Sequence, residues 1–431
     1  MSFPRYESYK ISAVEWLGMV PKHWQVVRLR FLCDIITGER DTVDAVEDGE
    51  FPFFVRSQTV ERINSSTHNC EAVLTAGDGV GVGKVFHYYS GPFDFHQRVY
   101  AFIHFRGVIG RFLFHYLKEN FYKVALEGGA KSTVDSLRRP LIQNFCVAVP
   151  PLDDQVAIAK FADREGAKID ALVEEQKELI TLLVEKRQAV ISHAVLITKG
   201  LDANAPMKKS GVEWLGEVPK HWKVVGIKRL CSKITDGAHV SPETENGVYC
   251  FVSTKDVTEE GIDFDGCLRT STVSYEYLVR TGCRPLVGDI LFSKDGTIGR
   301  TVVVTDEREF VIASSLIIIR PDTDQLDPRF LHYLCQSAFV RSQVDSYVKG
   351  AGLPRLSIRN LLRVFGVFPP LHEQAKIAAY LSELVGKFDN LVKEADTAIG
   401  LLQERRNAII SAAVTGKIDV RGLIPSAAEA A

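Results

Sequence analysis

The sequence has almost no net charge, and its cysteines form no motif. Its 52 Lys and Arg residues nearly balance 54 Asp and Glu residues, which leaves a formal net charge of −2. The chain as a whole is therefore no polycation, and any binding to a polyanion must come from local basic patches. None of the eight cysteines stands in a CxxC pair, which argues against a zinc ribbon or a dithiol redox motif.

Long apolar segments are missing as well. The N-terminus reads MSFPRYESYK and has no apolar signal core, and the longest apolar run, at Leu316–Ile319 and its neighbours, is far too short to span a bilayer. We therefore expect no membrane partner and a location in the cytoplasm, with reduced thiols. With 431 residues, of which 46% are hydrophobic, the chain has enough apolar material for two or more domains.

The chain does contain an internal repeat. Residues 14–27 read VEWLGMVPKHWQVV and residues 212–225 read VEWLGEVPKHWKVV, which match at twelve of fourteen positions at an offset of 198. Further matches follow at an offset of 219: Pro-Pro-Leu at 150–152 and 369–371, Gln155 and Gln374, and EKRQAVIS at 185–192 against ERRNAIIS at 404–411.

The segments between these repeated ends align poorly. Their resemblance is confined to islands such as His-Tyr-Leu at 115–117 and 332–334. Two explanations are open at this point. Either a duplicated fold has drifted, or one scaffold carries two different specificities.

The segments that follow the proline pairs predict long amphipathic helices of about 30 to 40 residues each, because apolar residues recur at three- and four-residue spacing and no proline interrupts the runs. The two apolar stripes are Ile169, Leu172, Val173, Leu179, Ile180, Leu183, Val190, Ile191 and Ala194, and Phe388, Leu391, Val392, Ala398, Ile399, Leu402, Ile409, Ile410 and Ala413. Since each stripe needs a partner, we expect the helices to pair within the chain, parallel or antiparallel. The alternative is that each helix packs only on its own domain.

The middle segments predict mixed α/β domains. Two β-rich runs flank Asp295-Gly296 within residues 288–304, which is a hairpin pattern. Other predicted elements are a strand at 314–319 and helices at 111–126 and 329–348. The predicted core anchors are Trp16, Trp24, Trp214 and Trp222. The expected fold is α+β, with two mixed α/β domains separated by two long helices that form an intramolecular coiled coil, as a pseudo-twofold repeat.

Three segments together carry a family resemblance. WLGxVPKHWxVVxL, PPLxxQxxIA and LLxEKRQAVISxAV, with TGKIDVRG at 415–422, resemble the conserved regions of the specificity subunit of type I restriction-modification systems. Their combination in this order is far more specific than any one of them.

The resemblance implies a division into four regions and a function. The regions are residues 1–150 and 212–369 as target-recognition domains, and residues 151–211 and 370–425 as conserved helical regions. It implies that such a subunit reads a bipartite sequence in double-stranded DNA, with one half-site per recognition domain. It also implies assembly with two modification subunits, which methylate adenine with S-adenosylmethionine, and with restriction subunits.

No motif predicts a catalytic, cofactor or metal site in this chain. GDGVGVGK at 77–84 fails both as a P-loop and as GxGxxG, so it reads either as a tight glycine-rich turn or as a loop that brings Lys84 close to DNA. VPPL and FPPL lack the leading amide and the aromatic residue of an adenine methyltransferase. The histidines show no metal-ligand spacing, and the repeated pair His23 and His221 indicates scaffold.

Basic residues near glycines and loops are the candidate DNA contacts, because such side chains can reach phosphates and base edges. The candidates are Arg56, Lys84, Lys131, Arg138 and Arg139 in the first domain, and Lys255, Lys294, Arg300, Lys349, Arg355 and Arg359 in the second. Ordinary solvated surface is the alternative for each of them.

Overall fold

The computed structural model divides the chain into two compact units. It describes residues 3–125, 137–196, 205–212, 215–240, 242–244, 247–258, 260–348 and 354–423. The first unit comprises Met1–Lys177 with Thr397–Ala431, and the second comprises Glu178–Asp396. This division by packing cuts through both long helices, so each unit contains a part of each helix.

The first unit is built on a mixed sheet. Its strands are β1 (Tyr9–Ile11), β2 (Met19–Pro21), β3 (Gln25–Arg28), β4 (Asp34–Thr37), β5 (Phe51–Phe54), β6 (Glu61–Ile63), β7 (His68–Ala76), β8 (Phe86–Phe95), β9 (Val99–Ile103) and β10 (Cys146–Val149). Its short helices are α1 (Gly110–Asn120), α2 (Tyr122–Ala125) and α3 (Arg139–Asn144). The six-stranded sheet has the order β4-β9-β7-β8-β5-β6, in which β5 and β8 are parallel, while β1 pairs with β2 and β3 with β10.

The second unit repeats the outer ladders but divides its central strands between two sheets. Its strands are β11 (Met207–Lys209), β12 (Glu217–Pro219), β13 (Lys223–Gly226), β14 (Cys231–Asp236), β15 (Tyr249–Val252), β16 (Leu268–Thr270), β17 (Ile290–Ser293), β18 (Thr301–Val303), β19 (Phe310–Ile312), β20 (Leu316–Pro321) and β21 (Phe365–Phe368). Its short helices are α5 (Thr272–Arg280), α6 (Pro328–Gln336), α7 (Ala338–Tyr347) and α8 (Ile358–Leu361). The sheet orders are β14-β20-β17-β18 and β16-β15-β19, with β11 on β12 and β13 on β21.

The local predictions hold with two corrections. The hairpin is present as β17 antiparallel to β18, and the strand at 314–319 is present as β20. The helix predicted at 329–348 is two helices, because Ser337 adopts an extended backbone and its side chain accepts a hydrogen bond from the Val340 N–H, which caps α7. The helix predicted at 111–126 is likewise divided into α1 and α2.

The tryptophans of the repeat differ in burial. Trp24 and Trp222 are completely buried, each in the main core of its unit, as predicted. Trp16 is half-buried and stacks on Phe145 at a ring-centroid distance of 5.4 Å. Trp214 lies outside the described residues.

The long helices are α4 (Leu152–Leu196) and α9 (Leu371–Val414), with 45 and 44 residues. They exceed the expected length because both begin directly after the proline pair. Their first turns pack on the adjoining domain, where Ile158 and Phe161 of α4 lie in the first core and Ile377 and Leu381 of α9 lie in the second.

The two helices also pack on each other within each unit, and their directions are opposite. In the first unit, Asp170 of α4 forms an ion pair with Arg406 of α9, with 2.9 Å between Nε and Oδ1. In the second unit, Arg187 of α4 forms the equivalent ion pair with Asp389 of α9, also at 2.9 Å. The predicted α+β class with long helices packed together is thus confirmed, and the helices are antiparallel.

The predicted apolar stripes are only partly buried. Ile169, Val173 and Ile191 of α4 are buried, whereas Leu172 and Leu179 are more than 40% exposed. In α9, Phe388, Ile410 and Ala413 are buried, whereas Leu391 is 46% exposed. The helix pair therefore covers a narrower stripe than the sequence period indicates.

A buried glutamine ties the start of each long helix to its domain. The Gln155 side chain accepts a hydrogen bond from the Ile109 N–H (2.8 Å) and donates to the carbonyl oxygens of Gly107 (3.0 Å) and Pro150 (2.9 Å). Gln155 is completely buried, so each of these backbone groups depends on the glutamine in place of water.

Gln374 makes the same three bonds in the second unit. It accepts from the Asp327 N–H (2.9 Å) and donates to the carbonyl oxygens of Gln325 (3.0 Å) and Pro369 (2.8 Å). The repeated glutamine thus fixes the loop before α1 or α6 to the proline pair that precedes the long helix.

An acidic residue next to each glutamine contacts the repeated His-Trp pair. Glu373 accepts hydrogen bonds from Trp222 Nε1 (3.1 Å) and lies 2.8 Å from His221 Nε2. The shorter Asp154 lies 3.2 Å from His23 Nε2, and Trp24 Nε1 is buried without a hydrogen-bond partner in the described part of the chain. These contacts give both histidines a scaffold role.

This difference of one methylene group predicts opposite effects for two substitutions. Asp154→Glu should let the carboxylate reach Trp24 and stabilise the first unit by about 1 kcal/mol, the typical net contribution of a hydrogen bond. Glu373→Asp should destabilise the second unit by a similar amount. Urea denaturation with tryptophan fluorescence measures both, and a loss of stability in both variants would contradict the explanation.

Candidate DNA interface

A tight turn between β7 and β8 presents charged side chains in the first unit. It comprises residues 77–84, and Gly79 and Gly83 have φ angles of +75° and +69°, which favour glycine. Asp78 follows the first glycine and accepts hydrogen bonds from Arg56 Nη1 (3.0 Å) and Arg98 Nη1 (2.8 Å). Burial would raise the pKa of Asp78, but the hydrogen bonds from both arginines outweigh it and hold the pKa below its ordinary value.

The second unit has a corresponding but shorter turn between β17 and β18. Gly296 and Gly299 have φ angles of +69° and +86° there. Asp295 occupies the position of Asp78 and forms an ion pair with Arg355, in which Nε lies 2.8 Å from Oδ1 and Nη2 lies 3.2 Å from Oδ2. Both turns therefore place a carboxylate beside a guanidinium group at the surface.

Backbone hydrogen bonds confirm that the turns are equivalent. The Gly77 N–H donates to the Arg98 carbonyl (2.8 Å), and the Lys294 N–H donates to the Ser315 carbonyl (2.9 Å). The Leu137 N–H donates to the Gly77 carbonyl (2.8 Å) in the first unit. The Leu356 N–H donates to the Lys294 carbonyl (2.9 Å) in the second.

The side chains that frame the turn differ between the units. Phe54 pairs in parallel with Phe95, and Val252 pairs in the same way with Ile312, so Arg56 and Thr254 follow at equivalent positions. Arg98 and Ser315 are equivalent through the backbone bonds above. Thr254 and Ser315 bond to each other, with the Thr254 N–H 3.1 Å from Ser315 Oγ. Two arginines in one unit thus replace a threonine and a serine in the other.

A cleft borders each turn. In the first unit, a cleft of about 400 Å³ is lined by Arg56, Asp78, Gly79 and Gly81, with Thr42, Val55, Ser57 and Glu61 on its other walls. In the second, a polar cleft of about 340 Å³ includes Thr297, Gly299 and Arg300 of the turn. Arg300 donates to the Val257 carbonyl (2.8 Å).

The predicted DNA contacts fall into three groups. Exposed residues are Arg56, Lys84, Arg138, Arg139, Lys255, Arg355 and Arg359, and Arg300 is half-exposed. Arg139 also donates to the Ile35 carbonyl (2.5 Å). Lys131 and Lys349 lie outside the described residues.

Lys294 was predicted as a DNA contact at the surface, but it is buried. Its side chain is 4% exposed, and its Nζ lies 2.6 Å from Asp236 Oδ2. Lys294 directly follows β17, whose four residues are all buried, and its side chain is covered with them. The sequence pattern alone gives no sign of that burial. Lys294 therefore serves the structure of the turn and does not reach a ligand at the surface.

Arg98 is the residue that the sequence analysis missed. It directly precedes β9 and is 58% exposed. The available signal is the alignment of Asp78 with Asp295 at an offset of 217, which places Arg98 opposite Ser315.

The chain is a type I restriction-modification specificity subunit by its match to a family model. The family model for the type I restriction modification DNA specificity domain matches residues 21–182 and 219–398, so the chain belongs to this family. It is a DNA target-recognition subunit of a type I system, and the subunit is non-catalytic.

Relatives match over nearly the full chain. The type I restriction enzyme EcoDI specificity subunit of Escherichia coli is 24% identical over 93% of this chain and 90% of its own length. The MjaVIII specificity subunit of Methanocaldococcus jannaschii is 25% identical over 98% of this chain and 99% of its own length. A chain from a structure on complex assembly and conformational transition of the type I system is 19% identical, with a TM-score of 0.63 over 92% of this chain and 98% of that one, which supports the fold.

No group of three or more His, Cys, Asp or Glu residues in the described part of the chain could hold a metal ion. No helix among these residues is long and apolar enough to cross a membrane.

The burial of Lys294 leads to a stability prediction. Lys294→Met should leave the Asp236 carboxylate without its buried cation and destabilise the second unit by about 3 kcal/mol. The matched control, Lys255→Met at an exposed position, should change stability by less than about 0.5 kcal/mol. Thermal and urea unfolding test this, and equal stability of the two variants would show that the Lys294–Asp236 pair is not structural.

Proposed function

We propose that each recognition domain, residues 1–150 and 212–369, reads one half-site of a bipartite sequence in double-stranded DNA. The observation that carries this proposal is the pair of equivalent Asp-Gly turns with different framing residues. A duplicated domain that had merely drifted would lose polar detail throughout. Here the Asp-Gly pair, the positive φ angle of its glycine and the two backbone bonds that anchor the turn recur in both units, while the length of the turn and the charges around it differ.

The parts of the two units that surround the turns are alike, which also supports two recognition domains on one common scaffold. Each unit has the hairpin before the tryptophan, the ladder that closes the domain and the buried glutamine. The central sheets differ, with six strands in one unit and two separate sheets in the other. Sequence readout depends on side chains at base edges, so differences confined to the central part change specificity without changing assembly.

The long helices are the proposed docking surface for two modification subunits, which restriction subunits then join. Apolar side chains remain exposed along both helices: Leu172, Leu179, Leu182 and Val184 of α4, and Leu391 and Leu401 of α9. Apolar side chains that stay exposed on a long helix are a reason to expect a protein partner there. This subunit would work in the cytoplasm, where the DNA lies.

One of the three charged residues at positions 185–187 of α4 is engaged within the chain. Glu185 and Lys186 are exposed, but Arg187 is 18% exposed and bound to Asp389. Reversal of the charge at Arg187 would disrupt the helix pair as well as any partner contact. Tests of assembly must therefore leave Arg187 intact.

Methylation-sensitive sequencing of DNA from cells that carry this chain with its modification subunits tests the proposal. We expect a motif of two short specific sequences with an unread gap between them. A single continuous motif would contradict one half-site per domain.

The isolated chain should transfer no labelled methyl group from S-adenosylmethionine, and transfer without a partner would favour a stand-alone enzyme.

Exchange of one central part should change one half-site. Residues 34–144 run from the start of β4 to the end of α3, so their replacement by the corresponding segment of another specificity subunit leaves the β3–β10 ladder intact. The mapped motif should then change in one half only. A change in both halves would refute independent readout.

Removal of exposed apolar side chains should weaken assembly. Leu179→Ser combined with Leu182→Ser removes two side chains that are 43% and 61% exposed, so the fold should tolerate the change while the modification subunits bind at least about tenfold more weakly. Glu175→Ser, at an exposed polar position of α4, is the control. Equal complex formation by both variants in analytical ultracentrifugation would show that this face is not the docking surface.

A further inference from the structure

We infer that Arg98 reads a guanine in the first half-site, with Asp78 as the residue that fixes its orientation. The inference rests on the proposed function, because it requires that the first domain contacts bases. It adds the identity of one reading residue, the base that it recognises and the reason why the second domain reads its half-site differently.

The geometry of Arg98 leaves a donor edge available. Asp78 is bound through Nη1 of Arg98, and the contacts within the described residues assign no acceptor to its Nε and Nη2 groups. Two parallel N–H donors on one edge match O6 and N7 of guanine in the major groove, which is the commonest specific contact of arginine. The side chain is 58% exposed, so this edge is accessible.

Asp78 restricts the motion of the guanidinium group. Its carboxylate is 15% exposed and bonded to both Arg56 and Arg98, and the hydrogen bonds from these arginines outweigh the effect of burial and hold the pKa of Asp78 below its ordinary value. An arginine that is oriented before binding loses less conformational entropy when it contacts a base. Arg56 Nη1 donates to the other carboxylate oxygen of Asp78, so each arginine has an oxygen of its own.

Glycines make close approach to DNA possible at this place. A Cβ atom at Gly79 would have no other atom within 4 Å, so the surface above the turn is open. At Gly81, a Cβ atom would lie 2.6 Å from the Arg56 carbonyl oxygen, so the turn can pack this closely against the Arg56 backbone only with glycine at this position.

The second domain is arranged for a different contact. Arg355 binds Asp295 through both Nε and Nη2, so the edge that Arg98 leaves open is already occupied. Thr254 and Ser315 stand where Arg56 and Arg98 stand in the first domain, and they bond to each other. The turn of the first domain therefore presents two N–H donors of the Arg98 guanidinium group. In the corresponding turn of the second domain, the same edge of Arg355 is bound to Asp295.

The test uses the full chain with its modification subunits and a duplex that contains the mapped motif. Each guanine of the first half-site is replaced in turn by 7-deazaguanine, which lacks the N7 acceptor. For the wild type, one replacement should weaken binding by about 5- to 150-fold, the range expected for a bidentate base contact. For Arg98→Ala, the same replacement should cost less than twofold, because the contact is already lost.

Three further variants separate reading from folding and from general attraction. Arg98→Lys keeps the charge but not the two-donor edge, so it should lose discrimination in the first half-site and retain the wild-type salt dependence. Asp78→Asn should also reduce discrimination, while binding to random DNA becomes stronger because a negative charge is removed. Arg355→Ala should leave the effect of 7-deazaguanine in the first half-site unchanged, and it serves as the matched control in the other domain.

The outcomes distinguish this inference from the function on which it rests. A wild-type complex that binds the motif no better than random DNA would overturn both. Wild-type discrimination combined with independent, additive losses for Arg98→Ala and every 7-deazaguanine would overturn the role of Arg98 alone. So would a first half-site that contains no guanine on either strand. A far-UV circular dichroism spectrum and a urea midpoint equal to those of the wild type show that each variant is folded.

Discussion

The fully buried side chain of a repeated glutamine is the constraint on which the rest of this structure depends. Gln155 and Gln374 each satisfy one N–H and two carbonyl groups that have left water, and only the amide of Gln or the shorter Asn offers two donors and an acceptor in that arrangement. The bonds join the loop in front of a domain helix to the residues that start a long helix. The direction in which α4 leaves the first domain and α9 leaves the second is thereby set by the same local contact.

Repeated ion pairs extend this constraint along the helices. Asp170 with Arg406 and Arg187 with Asp389 occupy matching positions of the repeat, one pair in each unit. Because the helices are antiparallel, a duplicated sequence brings the acidic position of one helix to the basic position of the other. Apolar packing alone leaves the register of two long helices weakly defined, and charged pairs at fixed positions specify it.

The variable part of each domain lies between these fixed contacts. The Asp-Gly pair and the two backbone bonds that anchor its turn recur in both domains, whereas the partner of the carboxylate changes from Arg56 and Arg98 in one domain to Arg355 in the other. A rigid frame with exchangeable charges allows specificity to change without loss of the core. The proposed reading of one half-site by each domain would account for two middle segments that align poorly between matching ends.

The sequence predicts the long helices and the hairpin because their periods and turn residues are local properties. It also identifies both proline pairs as boundaries and shows that the glutamine is repeated. It does not show the bonds of that glutamine, two of which reach a loop about fifty residues away in the chain. Lys294 and Arg98 show the limit most clearly. Lys294 follows a strand that is buried only because it lies inside the sheet, so its burial is not visible in a residue pattern. Arg98 reaches Asp78 because β7 and β9 pair, and that proximity is not visible in a residue pattern either. Leu172 and Leu179 fit the helical period and are nevertheless exposed, because the partner helix covers fewer positions than the period allows.

Photocrosslinking tests the central claim of one reader per half-site most directly. A duplex with 5-iodouracil at single positions of one half-site or the other is irradiated with the assembled complex, and the crosslinked peptides are identified by mass spectrometry. The account predicts that peptides from one half-site fall within residues 34–144 and those from the other within residues 231–363. Crosslinks from both half-sites to the same domain would contradict it.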